Sequence, residues 1–536
     1  MKTNPPPYFP DSKKAFLSII VKNILLLTIL LTFILIKNSR PWAVDSFGGV
    51  TIDEMIFHLR VPLDGTDTSV IDDYISSVCY PSIFQSIKIL CILFLWQFLF
   101  YLERFLRKQL TETVGRQIIL QISYSSQKNL CVPAYIFPKF SLRLCSLLIS
   151  VALAIQIYGV CIDYSVPEYI HQQLHPSTWI AENYIQPSSA LLTYPRTKRN
   201  LIYIFLESME SSYSSLDNGG AFEEDLIPEL TNLSLQNTHF SNRYGKLGGA
   251  TQVAGVSWTI AGMFAQTSGL PLKVPVDGNS MSDYSAFFPG VTSLGDLLHD
   301  AGYHNYLMIG SDATFGGRRN YFSQHGEYEI YDYPWADENQ KIPDGYHVFW
   351  GFEDSRLLDM AKEKLLDIAS QDEPFNFTML TVDTHFPDGY RCELCQDEHN
   401  SDYEDALSCS SRQIYNFVEW IKQQDFYENT TIVISGDHLS MSAEMAEIIS
   451  PDYKRTVYNC IINSSVTPIR SDNRTFTTMD MFPTTLAALG VKIDGDRLGL
   501  GTNLFSSRKT LSEEIGLSAF NEQIQMRSSF YNSLMY

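Results

Sequence analysis

The pattern of hydrophobic and polar positions divides the chain into an apolar N-terminal third and a longer remainder of short alternating runs. Apolar stretches at about 15–36, 82–102 and 144–162 each approach the roughly 20 residues that cross a bilayer core. The segment between the last two, 103–143, is rich in lysine and arginine, so the positive-inside rule places it in the cytoplasm. We therefore predict a membrane anchor over 1–162 with three transmembrane helices, followed by a chain that lies outside the cytoplasm.

The remainder begins with a predicted linker over 163–199, because four prolines interrupt regular structure there. From residue 200 onward, apolar runs typical of buried strands alternate with helical patterns. The strand patterns lie at 201–206, 303–309, 377–382 and 430–435, and the helical patterns at 292–301, 355–369, 411–422 and 479–489. This alternation predicts an α/β domain over 200–505, with a mostly parallel central sheet flanked by helices, and a C-terminal tail over 506–536.

Charge narrows the range of partners. The formal net charge is −21 at pH 7, with 60 acidic and 39 basic residues. Nucleic-acid binding needs a basic surface, so we expect no nucleic-acid partner. The acidity is also compatible with a divalent cation, although it mainly indicates a self-repelling, soluble surface.

Acidic and histidine side chains follow three of the predicted strands at their carboxyl ends. Glu207 follows the first strand, Asp437 and His438 follow another, and Asp383-Thr384-His385 follows a third. In open α/β sheets, sites form at the carboxyl ends of the strands, so we expect these side chains to meet at one edge. One acid after a strand is usually a solvated turn. Three such strands, two of them ending in an acid and a histidine, indicate a divalent metal site without thiolate ligands.

A run of glycines and small residues between Gly245 and Gly269 leads into a predicted helix at about Ser257. Free backbone N–H groups and the helix dipole at such a start favour an ionised hydroxyl and a bound phosphate. The simpler interpretation is an N-cap serine, which is common. Next to the predicted metal ligands, a nucleophilic hydroxyl becomes the better interpretation.

Three of the nine cysteines, Cys392, Cys395 and Cys409, cluster in a polar loop. A Cys-x-x-Cys pair with a third cysteine nearby suits a zinc knuckle, with His399 as the near candidate for a fourth ligand. Outside the cytoplasm a disulfide in this loop is the favoured alternative. The pairing among the three is open.

Several ordered motifs between about 200 and 500 resemble the alkaline phosphatase/sulfatase-like superfamily. Within it they are most similar to the membrane-bound phosphoglycerol transferases, the group of lipoteichoic acid synthase and of the enzyme that modifies osmoregulated periplasmic glucans. The matching stretches are Phe205-Leu-Glu-Ser, Trp258-Thr-Ile-Ala-Gly-Met, Ser268-Gly-Leu-Pro-Leu, Phe315-Gly-Gly-Arg, His325-Gly, Trp350-Gly-Phe, Thr381-Val-Asp-Thr-His-Phe-Pro-Asp-Gly and Ser435-Gly-Asp-His-Leu-Ser-Met.

The resemblance implies one divalent metal held by Glu207, Asp437, His438 and the nucleophilic hydroxyl. Manganese is expected, with magnesium and zinc as alternatives.

The resemblance also places substrate-binding roles on Arg318, which would grip a phosphate, and on His385, which would contact it. An ungapped alignment puts the family's usual nucleophilic threonine at Val256, which has no hydroxyl. Ser257 is therefore the predicted nucleophile, with Thr251 and then Thr259 as alternatives.

The function implied is transfer of a phosphoglycerol group from a phospholipid, expected to be phosphatidylglycerol, through a covalent Ser/Thr intermediate. The acceptor would be a glycan of the cell envelope or a glycerophosphate polymer. The implied location is the bacterial cytoplasmic (inner) membrane, with several crossings and the catalytic domain on the periplasmic or extracellular side.

Three other functions were weighed. A phosphoethanolamine transferase acting on lipid A or an envelope glycan would share the fold and the metal, but its local motifs fit less well. A sulfatase needs a Cys/Ser-x-Pro-x-Arg motif for formylglycine, and the sequence contains none. A catalytically degenerate envelope binding protein is favoured only by Val256.

Overall fold

The computed structural model describes residues 13–47, 51–60, 69–92, 95, 98, 119–125, 128–133, 137–274, 286–371 and 373–536. The chain forms two compact units. Unit 1 comprises Met1–Val44 and Thr68–Ser165, and unit 2 comprises Asp45–Asp67 and Val166–Tyr536.

Unit 1 contains the helices that are long and apolar enough to cross a membrane. There are three among the described residues, Ile24–Val44, Ile71–Ile92 and Leu144–Asp163. They overlap the predicted stretches at 15–36, 82–102 and 144–162. Most of 93–102 lies outside the described residues. The basic segment contains an antiparallel hairpin of β1 (Ile119–Ser125) and β2 (Lys128–Pro133).

Unit 2 is built on a six-stranded sheet, and its fold confirms the predicted α/β class. After the short β3 (Leu192–Thr193), its strands in chain order are β4 (Asn200–Leu206), β5 (His304–Ile309), β6 (Glu329–Tyr331), β7 (Phe375–Leu380), β8 (Thr430–Gly436) and β9 (Asn459–Ile462). Their spatial order is β6-β5-β7-β4-β8-β9, and only the β8–β9 pair is antiparallel. β4 therefore lies between β7 and β8, the two strands that also end in acidic and histidine side chains.

Burial on both faces explains why β4 reads as a continuous apolar run. Leu201, Tyr203 and Phe205 belong to the hydrophobic cluster on one face, and Ile202, Ile204 and Leu206 to the cluster on the other. Successive side chains of a strand point to opposite faces, so a strand covered on both faces has no polar alternation.

Helices of unit 2 flank the sheet, and the remaining helices belong to unit 1. In chain order they are α1 (Lys13–Phe47), α2 (Ile52–Arg60), α3 (Ser69–Asp73), α4 (Phe137–Asp163), α5 (Val166–Leu174), α6 (Trp179–Asn183), α7 (Pro228–Gln236), α8 (Thr259–Ser268), α9 (Leu294–Asp300), α10 (Arg318–Gln324), α11 (Tyr333–Glu338), α12 (Asp354–Ala369), α13 (Asp402–Lys422), α14 (Ala443–Ile448), α15 (Met481–Ala488), α16 (Leu511–Ile515), α17 (Leu517–Gln525) and α18 (Ser529–Ser533). Short strands complete the unit: β10 (Lys492–Ile493), β11 (Arg497–Leu498) and β12 (Gly501–Thr502).

Two segments differ from the predicted domain boundaries. Residues 163–199, expected as a linker, contain α5 and α6, and Ile180 is buried in the core of unit 2. Residues 506–536, expected as a tail, form α16 to α18 and bury Phe520, Ile524 and Tyr531 in the same core. Both segments are short and rich in turns, and their apolar residues find partners far away in sequence, which a local pattern does not reveal.

Candidate active site

The carboxyl ends of β4 and β8 bring together a buried group of metal-type ligands. Glu207 follows β4, and Asp437 and His438 follow β8. One ligand atom from each of the three side chains lies within 4.8 Å of the other two, and all three are buried. The geometry follows from the parallel pairing of the strands, because Leu206 is in register with Gly436.

The imidazole of His438 is held with one nitrogen turned toward the two carboxylates. Its Nδ1 donates to the carbonyl oxygen of Leu439 at 2.8 Å. Nε2 is therefore the nitrogen that faces the group, and it lies 3.3 Å from Glu207 Oε1 and 3.5 Å from Asp437 Oδ2. A backbone carbonyl that fixes the tautomer in this way is the usual partner of a metal-ligating histidine.

Backbone groups position the two carboxylates. Asp437 Oδ1 accepts from the N–H groups of Ser208 and His438, at 2.8 and 2.7 Å. Ser208 adopts φ 54, a left-handed conformation that is uncommon for serine, and its Oγ donates to Glu207 Oε1 at 2.8 Å. Strain of this kind is tolerated where the surrounding structure demands it, which is common at functional sites.

The charges of the group are strongly coupled. Burial and the Glu207 carboxylate raise the pKa of Asp437 to about 8. Burial also opposes ionisation of Glu207, but His385 and His438 hold its pKa below the ordinary value. Burial would lower the pKa of His438, yet Asp437 and Glu207 raise it to about 10. Two carboxylates this close retain a shared proton unless another cation neutralises them.

The residues fit a divalent metal ion. Asp437 Oδ2 and His438 Nε2 are buried and have no hydrogen-bond partner, and both face the centre of the group. Unpartnered polar atoms inside a protein cost free energy, so their convergence indicates a bound cation. Carboxylate oxygens with one imidazole nitrogen suit manganese, magnesium or zinc.

The hydroxyls predicted as nucleophiles take up different places around this group. Thr259 is the first residue of α8, is partly exposed, and its Oγ1 donates to Glu207 Oε2 at 3.2 Å. Ser257 precedes the helix, and its Oγ is buried without a partner. Val256 is fully buried in the core. Thr251 lies on a backbone bridge to Thr477. Of these hydroxyls, Thr259 is the one with a direct contact to a predicted metal ligand.

Arg318 is the first residue of α10 and is buried beside the two carboxylates. Two left-handed glycines, Gly316 and Gly317, turn the chain ahead of it. Its Nε donates to the carbonyl of Phe315 at 3.1 Å and its Nη2 to that of Asp312 at 2.8 Å. Burial lowers its pKa to about 10, so the guanidinium stays charged at neutral pH.

His385 is half-buried in an aromatic setting at the end of β7. Its ring lies 4.7 Å from that of Trp350 and 4.6 Å from that of Phe386. Nδ1 donates to the carbonyl of Phe386 at 2.8 Å, which leaves Nε2 as an acceptor. Burial lowers the pKa of His385 although the charge of Glu207 opposes this, so the ring is neutral at pH 7.

Asp383, the acid that precedes His385, does not join the metal-type group. It lies near Asp354, whose carboxylate accepts from the N–H groups of Val382 and Asp383 at 2.7 and 3.1 Å. Burial and the Asp354 charge raise the pKa of Asp383. Of the three predicted strand ends, those of β4 and β8 therefore form the group with Glu207, Asp437 and His438. The two carboxyl oxygens of Asp383 are buried without a hydrogen-bond partner.

Sequence reasoning missed a contribution from the segment between the first two apolar helices. α2 packs into unit 2, where Phe57 is fully buried and its ring lies 5.4 Å from that of Trp258, the residue before Thr259. Glu54, on the same helix, is buried with Oε2 unpartnered, and it interacts electrostatically with His438. The signal available in the sequence was weak, because α2 reads as an ordinary short amphipathic helix.

Comparison with known proteins finds a family model and several relatives that match this chain. The family model described as sulfatase matches residues 199–491. Phosphoglycerol transferase I of Shigella flexneri is 34% identical over 338 residues, covering 61% of this chain and 41% of that protein. The protein of the same name from Citrobacter koseri is 36% identical over 267 residues, covering 48% of this chain and 33% of that protein. The chain thus spans about a third to two fifths of the length of the curated relatives it matches.

The solved structures that resemble this chain are more distant in sequence. The lipoteichoic acid synthase LtaP from Listeria monocytogenes is 17% identical, with a TM-score of 0.46 and coverage of 62% of this chain and 82% of that chain. The lipooligosaccharide phosphoethanolamine transferase A from Neisseria meningitidis is 11% identical, with a TM-score of 0.46 and coverage of 88% and 84%.

Proposed function

Because the chain belongs to the sulfatase family, we propose that it is a metal-dependent phosphoglycerol transferase. In this proposal the donor is a phospholipid, phosphatidylglycerol, and the acceptor is a hydroxyl of an envelope glycan or glycerophosphate polymer. The curated relatives named phosphoglycerol transferase I support the choice of the transferred group.

One observation carries the proposal: the Thr259 hydroxyl lies at a helix N-terminus and in contact with Glu207, within a buried carboxylate and imidazole group. A hydroxyl beside ligands of a divalent cation can be ionised at neutral pH and can attack a phosphodiester. Ser257, although it is adjacent to the position of the family's threonine, has its oxygen enclosed by protein. We therefore place the nucleophile at Thr259, with Ser257 and Thr251 as the alternatives.

Glu207, Asp437 and His438 would hold the metal, which when bound neutralises charge on the phosphoryl group and lowers the pKa of the attacking hydroxyl. Thr259 Oγ1 forms a bond to phosphorus while the bond from phosphorus to the diacylglycerol oxygen breaks. The leaving oxygen takes up one proton, so diacylglycerol departs and glycerophosphate remains on the threonine. An acceptor hydroxyl then attacks the same phosphorus, and Thr259 regains its proton.

Arg318 and His385 would act on the phosphate and on the acceptor. Carbonyl oxygens engage Nε and Nη2 of Arg318, which leaves Nη1 to bind a phosphate oxygen. Neutral His385 presents Nε2 as an acceptor, so it would remove the proton from the attacking acceptor hydroxyl. The helices of unit 1 are long and apolar enough to keep the protein in the bilayer that contains the donor. We place unit 2 on the periplasmic or extracellular side of the cytoplasmic membrane.

Mass analysis of a trapped covalent adduct tests this proposal. The purified full-length protein is incubated with manganese and vesicles of phosphatidylglycerol or phosphatidylethanolamine, quenched in acid and digested to peptides. We expect a glycerophosphate adduct on Thr259, together with release of diacylglycerol, and loss of both in Thr259→Ala.

Each other outcome changes the proposal in a defined way. An adduct on Ser257 or Thr251 keeps the function and moves the nucleophile. A phosphoethanolamine adduct assigns the protein to the phosphoethanolamine transferases. If no adduct and no diacylglycerol form with manganese, magnesium or zinc, the protein binds envelope components without turnover.

A further inference from the structure

A second group of metal-type ligands lies outside the catalytic residues. Cys392 and Cys395 are in the loop after His385, and Cys409 is on α13. The Sγ atom of Cys392 lies 3.7 Å from that of Cys395 and 3.9 Å from that of Cys409. All three sulfur atoms lie within 4.8 Å of one another, and Cys392 and Cys409 are buried.

These separations match the edges of a metal–thiolate site. A tetrahedral ion with metal–sulfur bonds of about 2.3 Å holds its sulfur ligands about 3.8 Å apart. A disulfide brings two sulfurs to about 2.05 Å and excludes the third. Here the Sγ atom of Cys392 is almost equally distant from the Sγ atoms of Cys395 and Cys409, so the distances favour neither pair as a disulfide.

A hydrogen-bond donor faces the sulfur group as it would face thiolates. The Cys-x-x-Cys segment forms a tight turn, in which the backbone N–H of Cys395 donates to the carbonyl oxygen of Cys392 at 3.0 Å. Gln413 lies one helical turn after Cys409, and its Nε2 donates to the sulfurs of Cys409 and Cys392 at 3.3 and 3.6 Å. This amide donor stabilises ionised sulfur, which is the form that binds metal.

The surrounding acidic groups favour a cation at the same place. Buried carboxyl groups of Asp354 and Asp383 are close enough to Cys392 to interact with its charge. Thiolates next to buried carboxylates repel them, and Arg412, which interacts with Cys409, supplies a single positive charge. A divalent ion among the sulfurs would offset the remaining repulsion.

From this geometry we propose that Cys392, Cys395 and Cys409 bind a thiophilic metal ion, zinc, at a site distinct from the catalytic group. Three thiolates select zinc over the harder cations that suit the carboxylate site. His399 is not part of this group among the described residues, so the three cysteines are the ligands that we propose.

The zinc would fix the loop that carries His385 to α13. A second tie already joins them, because Tyr403 of α13 donates to the carbonyl of Thr384 at 3.0 Å. Arg391 adds ion pairs to Asp402 and Asp405. The site is thus structural, and it holds a substrate-binding loop on a rigid helix. It stands whether or not the proposed transferase activity is correct.

Zinc analysis of the full-length protein tests the site. The wild type, Cys409→Ser and a control, Cys460→Ser, are purified without reductant and their zinc content is measured by mass spectrometry. Cys460 is a buried free cysteine on β9, away from the sulfur group. We expect the wild type and Cys460→Ser to contain one zinc more per chain than Cys409→Ser. Equal zinc contents in the three proteins would contradict the proposed zinc site.

Thiol labelling provides a readout that needs no variant to fold. In the native wild type, Cys392, Cys395 and Cys409 should resist a thiol reagent until a zinc chelator is added, and then all three should react. A non-reduced digest in which two of them are joined by a disulfide would contradict the proposal. So would labelling of the three cysteines before chelation.

Discussion

At the scale of single residues, the active site depends on which ring nitrogen of each histidine is hydrogen-bonded to the backbone. His438 and His385 both donate Nδ1 to a neighbouring backbone carbonyl, so each presents Nε2. The first faces two carboxylates and is suited to a metal, whereas the second lies among aromatic rings and is suited to a proton transfer. The same tautomer therefore serves two different roles because the surroundings differ.

The pH dependence of turnover should report the neutral state of His385. Burial places its pKa below the ordinary 6.5, so the base is available at neutral pH and is lost as the pH falls through that lowered value. Protonation of a buried neutral histidine also destabilises the fold on the acid side. We expect His385→Gln to lower the rate about 10²- to 10⁴-fold and to abolish the acid limb of the profile.

Diacylglycerol release measured across pH with saturating metal checks this expectation. The matched control is His304→Gln, because His304 is exposed and pairs with Glu373 far from the carboxylates. That control should keep both the rate and the acid limb. If the acid limb of the pH profile is unchanged in His385→Gln, the ionisation that produces this limb belongs to a group other than His385.

At the scale of elements, α8 must approach β8 closely to bring Thr259 to the metal ligands. Gly262 faces the backbone that carries Asp437, and a Cβ there would lie 2.2 Å from the carbonyl oxygen of Asp437. Gln266, one turn later, donates to the carbonyl of Gly436 at 2.8 Å and accepts from Tyr203. The Gly-Met pair of the sequence motif thus has a packing explanation.

Gly262→Ala should therefore disturb the metal site rather than only the helix. Overpacking costs about 1–3 kcal/mol in the free energy of unfolding. Displacement of Asp437 should weaken metal binding about 10- to 100-fold, as loss of supporting contacts does at other sites. Ala265→Gly is the control, because it weakens the same helix by about 1 kcal/mol without touching Asp437. Metal titration compares Gly262→Ala with Ala265→Gly. Equal metal affinities in these two variants would refute the proposed effect of Gly262 on the metal site.

The packing of α2 against Trp258 is a second contact between elements on which the active site depends. Phe57 is fully buried against Trp258, while Met55 on the same helix is 37% exposed. Phe57→Ala removes about 3–5 kcal/mol of packing, which is enough to release a nine-residue helix from the domain. We expect faster proteolysis within 51–60 and a slower turnover, because Trp258 caps the helix that begins with Thr259. Met55→Ala should change neither, and equal proteolysis of the two variants would show that α2 does not depend on this contact.

The elements also show where sequence reasoning succeeded and where it failed. β4, β7 and β8 were predicted to within two residues, since strands covered on both faces leave continuous apolar runs. The start of α8 was predicted at Ser257 but lies at Thr259, and this shift changes which hydroxyl meets Glu207. Helix ends are set by capping and packing that a local pattern does not contain. The packing of Phe57 on Trp258 joins residues about 200 positions apart and leaves no local signal.

At the scale of the whole molecule, the metal-type group joins two adjacent strands of the unit 2 sheet, β4 and β8. Burial and the charge of Glu207 raise the pKa of Asp437 to about 8, so joint ionisation of the two carboxylates at neutral pH is favoured by added positive charge. Metal binding to the folded state alone stabilises it by about 2.7 kcal/mol when the free metal is 100 times its Kd. The protein should therefore lose stability when its metal is removed.

Thermal unfolding of the full-length protein in detergent, with manganese or with a chelator, measures this loss. The wild type should unfold at a lower temperature in the chelator. Asp437→Asn should show no such difference, because it lacks one ligand. Without metal, Asp437→Asn should be more stable than the wild type, because asparagine is neutral in the buried site without taking up a proton as Asp437 must. If chelation leaves the wild type unchanged, Glu207, Asp437 and His438 are held by their own hydrogen bonds, and a metal does not contribute to the fold.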